Sequence, residues 1–150
     1  MKKWLLVAFG LMAVVLLSAC GKKGVGTPLD GLYGSESLTL DELNVIKKEL
    51  FPVSYSYTTY NREDWSISDS GNYIYPSGED KSLLPVEDVA VSKDIYSSEI
   101  KDGLIYTMVS FVLEDGETVS VLYINNPETL KYTFATVYAK EWTTLYSFKY

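Results

Sequence analysis

The last third of the chain constrains the fold most. Leu104–Leu113 (LIYTMVSFVL), Thr118–Ile124 (TVSVLYI), Thr129–Tyr138 (TLKYTFATVY) and Trp142–Tyr150 (WTTLYSFKY) are strand-length runs rich in β-branched and aromatic residues. Short polar stretches, Glu114–Glu117 (EDGE) and Asn125–Glu128 (NNPE), separate the first three. In the final run Trp142, Tyr146, Phe148 and Tyr150 share one side at period two. Consecutive strands joined by short turns pair with each other. The prediction is an antiparallel meander of four strands.

Period two also governs Val53–Tyr60 (VSYSYTTY). Val53, Tyr55 and Tyr57 fall on one face, and Ser54, Ser56 and Thr58 on the other. A turn at Asp69-Ser70-Gly71-Asn72, between WSI and Tyr73–Tyr75, predicts a short hairpin. Pro76–Pro85 reads as a loop, VEDVAV and DIYSSEI as further strands, and Asp102-Gly103 as a turn. With so many strands the sheet must protect its edges, and closure into a barrel is one way to do so.

One segment carries a helix signature. Thr39 stands three residues before Glu42, the capping-box spacing, with Leu38 and Leu43 placed as a hydrophobic staple. Leu43, Ile46 and Leu50 share a face at helical period. Lys47 and Lys48 complement the C-terminal end of the dipole, and Pro52 stops the run. A helix is expected over Leu40–Leu50.

The N-terminus has a different character. Lys2 and Lys3 precede the apolar run Trp4–Leu17, and small residues follow. This is the three-part layout of a secretory signal, and the run is shorter than the about 20 residues a membrane span requires. Leu17-Ser18-Ala19-Cys20 resembles a bacterial lipobox. That resemblance implies removal of residues 1–19, a diacylglyceryl group on the Cys20 sulfur, and a cell-membrane lipoprotein facing the extracytoplasmic side. Cys20 is the sole cysteine, so no internal disulfide is open to it. Two acyl chains hold a protein stably where one does not. Residues 20–28 are then a lipidated tether carrying Lys22 and Lys23, and 29–150 a single β-rich domain.

Composition removes whole classes of chemistry. The chain has 13 basic and 20 acidic residues, a net charge of −7, and only one arginine, Arg62. Nucleic-acid binding needs clustered Lys and Arg. There is no histidine, which excludes Ser-His-Asp and Cys-His catalysis and His-ligated zinc. Ser98 and Lys101 have the S-x-x-K spacing of some acyl-transfer enzymes, but Asp102-Gly103 follows at once, and that spacing works only on a helix. Glu114, Asp115 and Glu117, and likewise Asp64 and Asp69, lack the pattern of a calcium loop. The expectation is a non-enzymatic protein with no metal and no cofactor.

Tyrosine is the dominant aromatic, with 13 copies. Tyr55, Tyr57, Trp65, Tyr73, Tyr75, Trp142 and Tyr146 are the candidates to line a ligand cavity, form a partner-binding face, or simply fill the core. The order of elements, one capped helix and then hairpins ending in an aromatic strand, resembles the small lipocalin-like (calycin) barrels. Gly31–Gly34 (GLYG) is similar to their Gly-x-Trp stretch, with tyrosine in place of tryptophan. That resemblance implies a closed barrel, whose inward residues meet a small apolar ligand if it is wide and fill it if it is narrow. The alternative architecture is a helix packed on a curved antiparallel sheet, as in cystatin-like folds; the expected binding partner is a small apolar ligand or an envelope or host protein. A structural or assembly role in the envelope is a further alternative.

Overall fold

The computed structural model describes residues 28–77 and 82–150. Cys20, the leader and most of the tether lie outside the described residues. Two helices and seven strands follow one another: α1 (Leu40–Glu49), β1 (Ser54–Asn61), β2 (Ile67–Ile74), α2 (Pro85–Val89), β3 (Ala90–Lys101), β4 (Leu104–Leu113), β5 (Thr118–Asn125), β6 (Tyr132–Tyr138) and β7 (Trp142–Lys149). All strands belong to one antiparallel sheet in the order β2-β1-β7-β6-β5-β4-β3. The mainly-β antiparallel architecture is the expected one.

The sheet is not closed. β2 and β3 are its two edges and do not pair with each other. In place of closure, α1 packs on one face, hereafter the inner face. Leu43 and Ile46 are buried there, and the Tyr132 hydroxyl donates to the Leu43 carbonyl at 2.9 Å. A helix about 10 Å across occupies the space that a closed barrel would have enclosed. The fold is a mainly-β antiparallel meander that stays open, with α1 laid on its inner face.

α1 begins as its sequence dictates. The Thr39 hydroxyl accepts the Glu42 N–H, and the Glu42 carboxylate accepts the Thr39 N–H at 2.7 Å, so the capping box is complete. The helix ends one residue before the expected Leu50, which serves as its C-cap.

Three local expectations fail for identifiable reasons. The hairpin turn lies at residues 62–66, and Asp69–Asn72 runs straight through the middle of β2. Asn61 and Asp64 side chains accept the N–H groups of Glu63 and Ser66, and Trp65 takes a positive φ of 57°. These side-chain bonds close the turn there. The Tyr57 ring lies over Gly71, so this glycine serves close packing in a strand rather than a turn. The second failure is at VEDVAV. Pro85 opens the short helix α2 instead, because its fixed φ suits the first helical position. Only Ala90 and Val91 of that run join DIYSSEI in the 12-residue β3. Likewise the TLK of TLKYTFATVY is loop, held by Asn126, whose side chain accepts the N–H groups of Glu128 and Thr129.

Register defines what each face carries. On the inner face Val109, Val121, Val137, Thr144, Thr59 and Asp69 form one row across six strands. The next row is Thr107, Tyr123, Ala135, Tyr146, Tyr57 and Gly71. The core lies between these residues, α1, and the crossover that carries the chain from edge β2 to edge β3, where Leu83 and Leu84 are buried.

Candidate binding surfaces of the sheet

Five of the seven candidate aromatics come together on the inner face of β1, β2 and β7. Tyr55 sits at their centre, stacked on Tyr73 with centroids 5.2 Å apart and edge-on to Tyr146 at 5.1 Å and Tyr75 at 5.4 Å. Tyr57 lies 6.1 Å from Tyr55. The reason is registry: Tyr55 pairs with Tyr73 on one side and Phe148 on the other, and Tyr57 with Tyr146. Cross-strand aromatic pairs are favourable units of sheet stability. Trp65 and Trp142 are not part of the cluster. Trp65 stands exposed in the β1–β2 turn, and Trp142 pairs with Asn61 at the far end of β7.

Most of this cluster is core. Tyr55, Tyr75 and Tyr146 are buried, and burial pushes all three phenols above their ordinary range. The Tyr75 hydroxyl is spent on the Leu83 carbonyl at 2.6 Å. Tyr57 and Tyr73 form the open rim of the cluster, beside edge β2, and Tyr73 is 44 % exposed. The Tyr57 hydroxyl donates to Asp69 at 3.1 Å, and this bond raises its pKa.

The space between α1 and the sheet is a cavity of about 20 Å³, lined by Leu43, Tyr123 and Tyr132 among others. That is room for about one water, far below the roughly 300 Å³ of a small-molecule site. Three further side chains close the core here, and two of them carry no sequence signal. Glu87 on α2 accepts from the Tyr123 hydroxyl at 2.8 Å and the Leu83 N–H at 2.8 Å, and pairs with Lys47 of α1 at 3.4 Å. Phe51 and Phe148 extend the aromatic cluster, Phe51 edge-on to Tyr75 at 4.6 Å. Phe148 was legible from its alternation with Tyr146; Phe51 and Glu87 were not.

Ser98 and Lys101 are not brought together. They lie three residues apart on a strand, where alternation sends them to opposite faces. The Ser98 hydroxyl accepts the Leu38 N–H at 2.7 Å and shares a hydrogen bond with Thr107 at 3.0 Å, tying the segment before α1 to β3. The carboxylate groups also serve locally. Asp115 accepts the Glu117 N–H at the β4–β5 tip, and Asp64 accepts from both Ser66 donors. Among the described residues no group of three or more acidic side chains is arranged to hold a metal. No described helix is long and apolar enough to cross a membrane.

The outer face of the sheet is built differently. Its rows are Met108, Leu122, Thr136, Leu145, Thr58 and Ser70; then Tyr106, Ile124, Phe134, Ser147, Ser56 and Asn72; then Ser110, Ser120, Tyr138, Thr143, Tyr60 and Ile67. None of these carries a charge. α1, α2 and the segment before α1 make their hydrogen bonds to the inner face instead. Phe134, Leu145 and Ile67 are exposed at 46 %, 44 % and 63 %. Compared with protein-family models, curated proteins and solved structures, the chain shows no match to any.

Proposed function

We propose that this protein is a bacterial lipoprotein, held to the extracytoplasmic side of the cell membrane by a diacylglyceryl group on Cys20, and that its domain works by contact with another protein. The observation that supports the anchor is the sequence Leu17-Ser18-Ala19-Cys20 at the end of an apolar leader. What supports contact over ligand storage is the packing of the tyrosines. Tyr55, Tyr75 and Tyr146 spend their surface on one another and on Phe148, and the cavity between α1 and the sheet holds about 20 Å³; the larger hollow at Asn61, Arg62, Glu63, Lys140 and Glu141 is lined by none of these aromatics. The rim of Tyr57 and Tyr73, beside the open edge of β2, is the contact surface in this reading. Edge strands accept an added strand, and tyrosine offers contact area at low entropic cost.

Intact mass of the protein extracted from its own cells tests the anchor. The expected species lacks residues 1–19 and carries a diacylglyceryl group on Cys20, and Cys20→Ser leaves the leader attached. A bare thiol on an uncut chain would refute it. The contact surface is tested with a photo-cross-linking residue in place of Tyr73. A single discrete adduct to an envelope protein is expected there, with none from the same residue at Tyr96 on the opposite edge.

A further inference from the structure

We infer that the outer face of the sheet is a self-association surface on which a second copy of this chain stacks face to face. This goes beyond the proposed function, because it concerns the opposite face from the tyrosine rim and does not depend on the anchor.

The first ground is charge. Three rows across six strands hold no charged side chain, in a chain with 33 charges among its 150 residues. A solvated face of an antiparallel sheet ordinarily alternates polar and charged residues out of the core. The charges lie at the margins instead: Lys149 at one end of β7, and Asp94, Glu99 and Lys101 on edge β3. A partner chosen by charge finds nothing to read inside those margins. Two copies of a chain of net charge −7 can meet on these rows without bringing charged side chains face to face.

The second ground is chemistry. The polar groups on this face are nearly all Ser, Thr and Tyr hydroxyls, and each hydroxyl is both donor and acceptor. A face of hydroxyls and apolar side chains is complementary to itself, as a two-fold contact requires. Leu145 on β7, exposed and midway across the six strands beside the buried Thr136 of β6, lies closest to the two-fold axis.

The third ground is area. Six strands at about 4.8 Å, with six to seven residues at about 3.4 Å, present roughly 650 Å² per copy. Two copies bury roughly 1,300 Å², which is in the range of stable specific interfaces. Two sheets packed this way sit about 10 Å apart with strands about 30° from aligned.

The test is sedimentation of the full chain in mild detergent from about 1 to about 100 µM, with mass action read across the series. The wild type is expected to be dimeric. Leu145→Lys and Ser147→Lys each place a cation on the face, and each is expected to weaken the dimer by at least about tenfold. Both positions face outward, and an unchanged circular dichroism spectrum shows that each variant is folded. Tyr96→Lys, on edge β3, is expected to leave the dimer intact. A wild type that stays monomeric throughout overturns the inference. So does a dimer that withstands both face substitutions, or one that only Tyr96→Lys dissolves, which would assign the contact to the sheet edge.

Discussion

The Tyr123 hydroxyl donates to Glu87 Oε1 at 2.8 Å, joining the crossover helix α2 to the centre of the sheet. The same carboxylate also receives the Leu83 N–H and the Lys47 ammonium. One side chain therefore ties together α1, α2 and β5. Tyr123→Phe removes a buried hydrogen bond to a charged group and is expected to cost about 1.5–3 kcal/mol. Glu87→Ala should cost more, since it leaves the Tyr123 hydroxyl and the Leu83 N–H buried without a partner. Urea unfolding of both variants checks the order. Equal costs would show that Tyr123 is the only partner that matters.

A methyl group added at Gly71 would come within 3.1 Å of the Tyr57 ring. The ring is held in place by its hydroxyl bond to Asp69. Gly71→Ala is expected to lower the melting temperature because the ring must shift. In a Tyr57→Ala background the obstacle is gone, and Gly71→Ala should become neutral or stabilising through improved strand propensity. Melting curves of the two singles and the double variant decide; additive effects would refute the contact.

Glu42 is fully buried, and one carboxylate oxygen has no hydrogen-bond partner. Burial raises its pKa above the ordinary 4.5, and the bonds from Thr39 offset this only in part. The native state therefore holds this proton more tightly than the unfolded chain does. The resulting stability is fully present below the unfolded pKa and is lost as pH rises through the higher native value. Glu42→Gln cannot titrate. Its stability relative to wild type should rise between pH 4 and pH 7, read as the difference in urea midpoint. A constant difference would show that burial does not perturb this carboxyl.

At the alkaline end the same linkage acts through phenols. Burial pushes Tyr123 and Tyr132 well above the ordinary 10.0, and pushes Tyr150 to about 12. Native stability from these groups holds below about pH 10 and is lost as pH rises through their native values. Absorbance at 295 nm during alkaline titration should show part of the tyrosine signal withheld and then released together with the loss of far-ultraviolet dichroism. Smooth ionisation of all 13 tyrosines before unfolding would contradict the packing.

Local signals determined what was legible in the sequence. The Thr39–Glu42 capping box, the alternation of Val53–Tyr60 and the meander from Leu104 onward depend on neighbours a few residues away. The capping box and the meander stand in the structure, and Tyr55 and Tyr57 share the inner face, whereas Val53 lies just before β1 and is exposed. Tyr55, Tyr57, Tyr73, Tyr75 and Tyr146 stand in the sequence as one set with Trp65 and Trp142, and strand register alone gathers the five tyrosines around Tyr55 and leaves the two tryptophans apart.

Tertiary structure alone decided the rest. Whether the sheet closes depends on which strands become edges and on where α1 lands, and both rest on contacts between distant segments. Glu87 and Tyr123 are 36 residues apart, and Leu38 and Ser98 are 60 apart. The turn-forming composition of Asp69–Asn72 yielded to pairing with β1, which sets Gly71 against the Tyr57 ring and leaves the turn to the Asn61 and Asp64 side-chain bonds. The uncharged outer face is likewise invisible along the chain. Its residues are every second position of six strands, and only pairing brings them side by side.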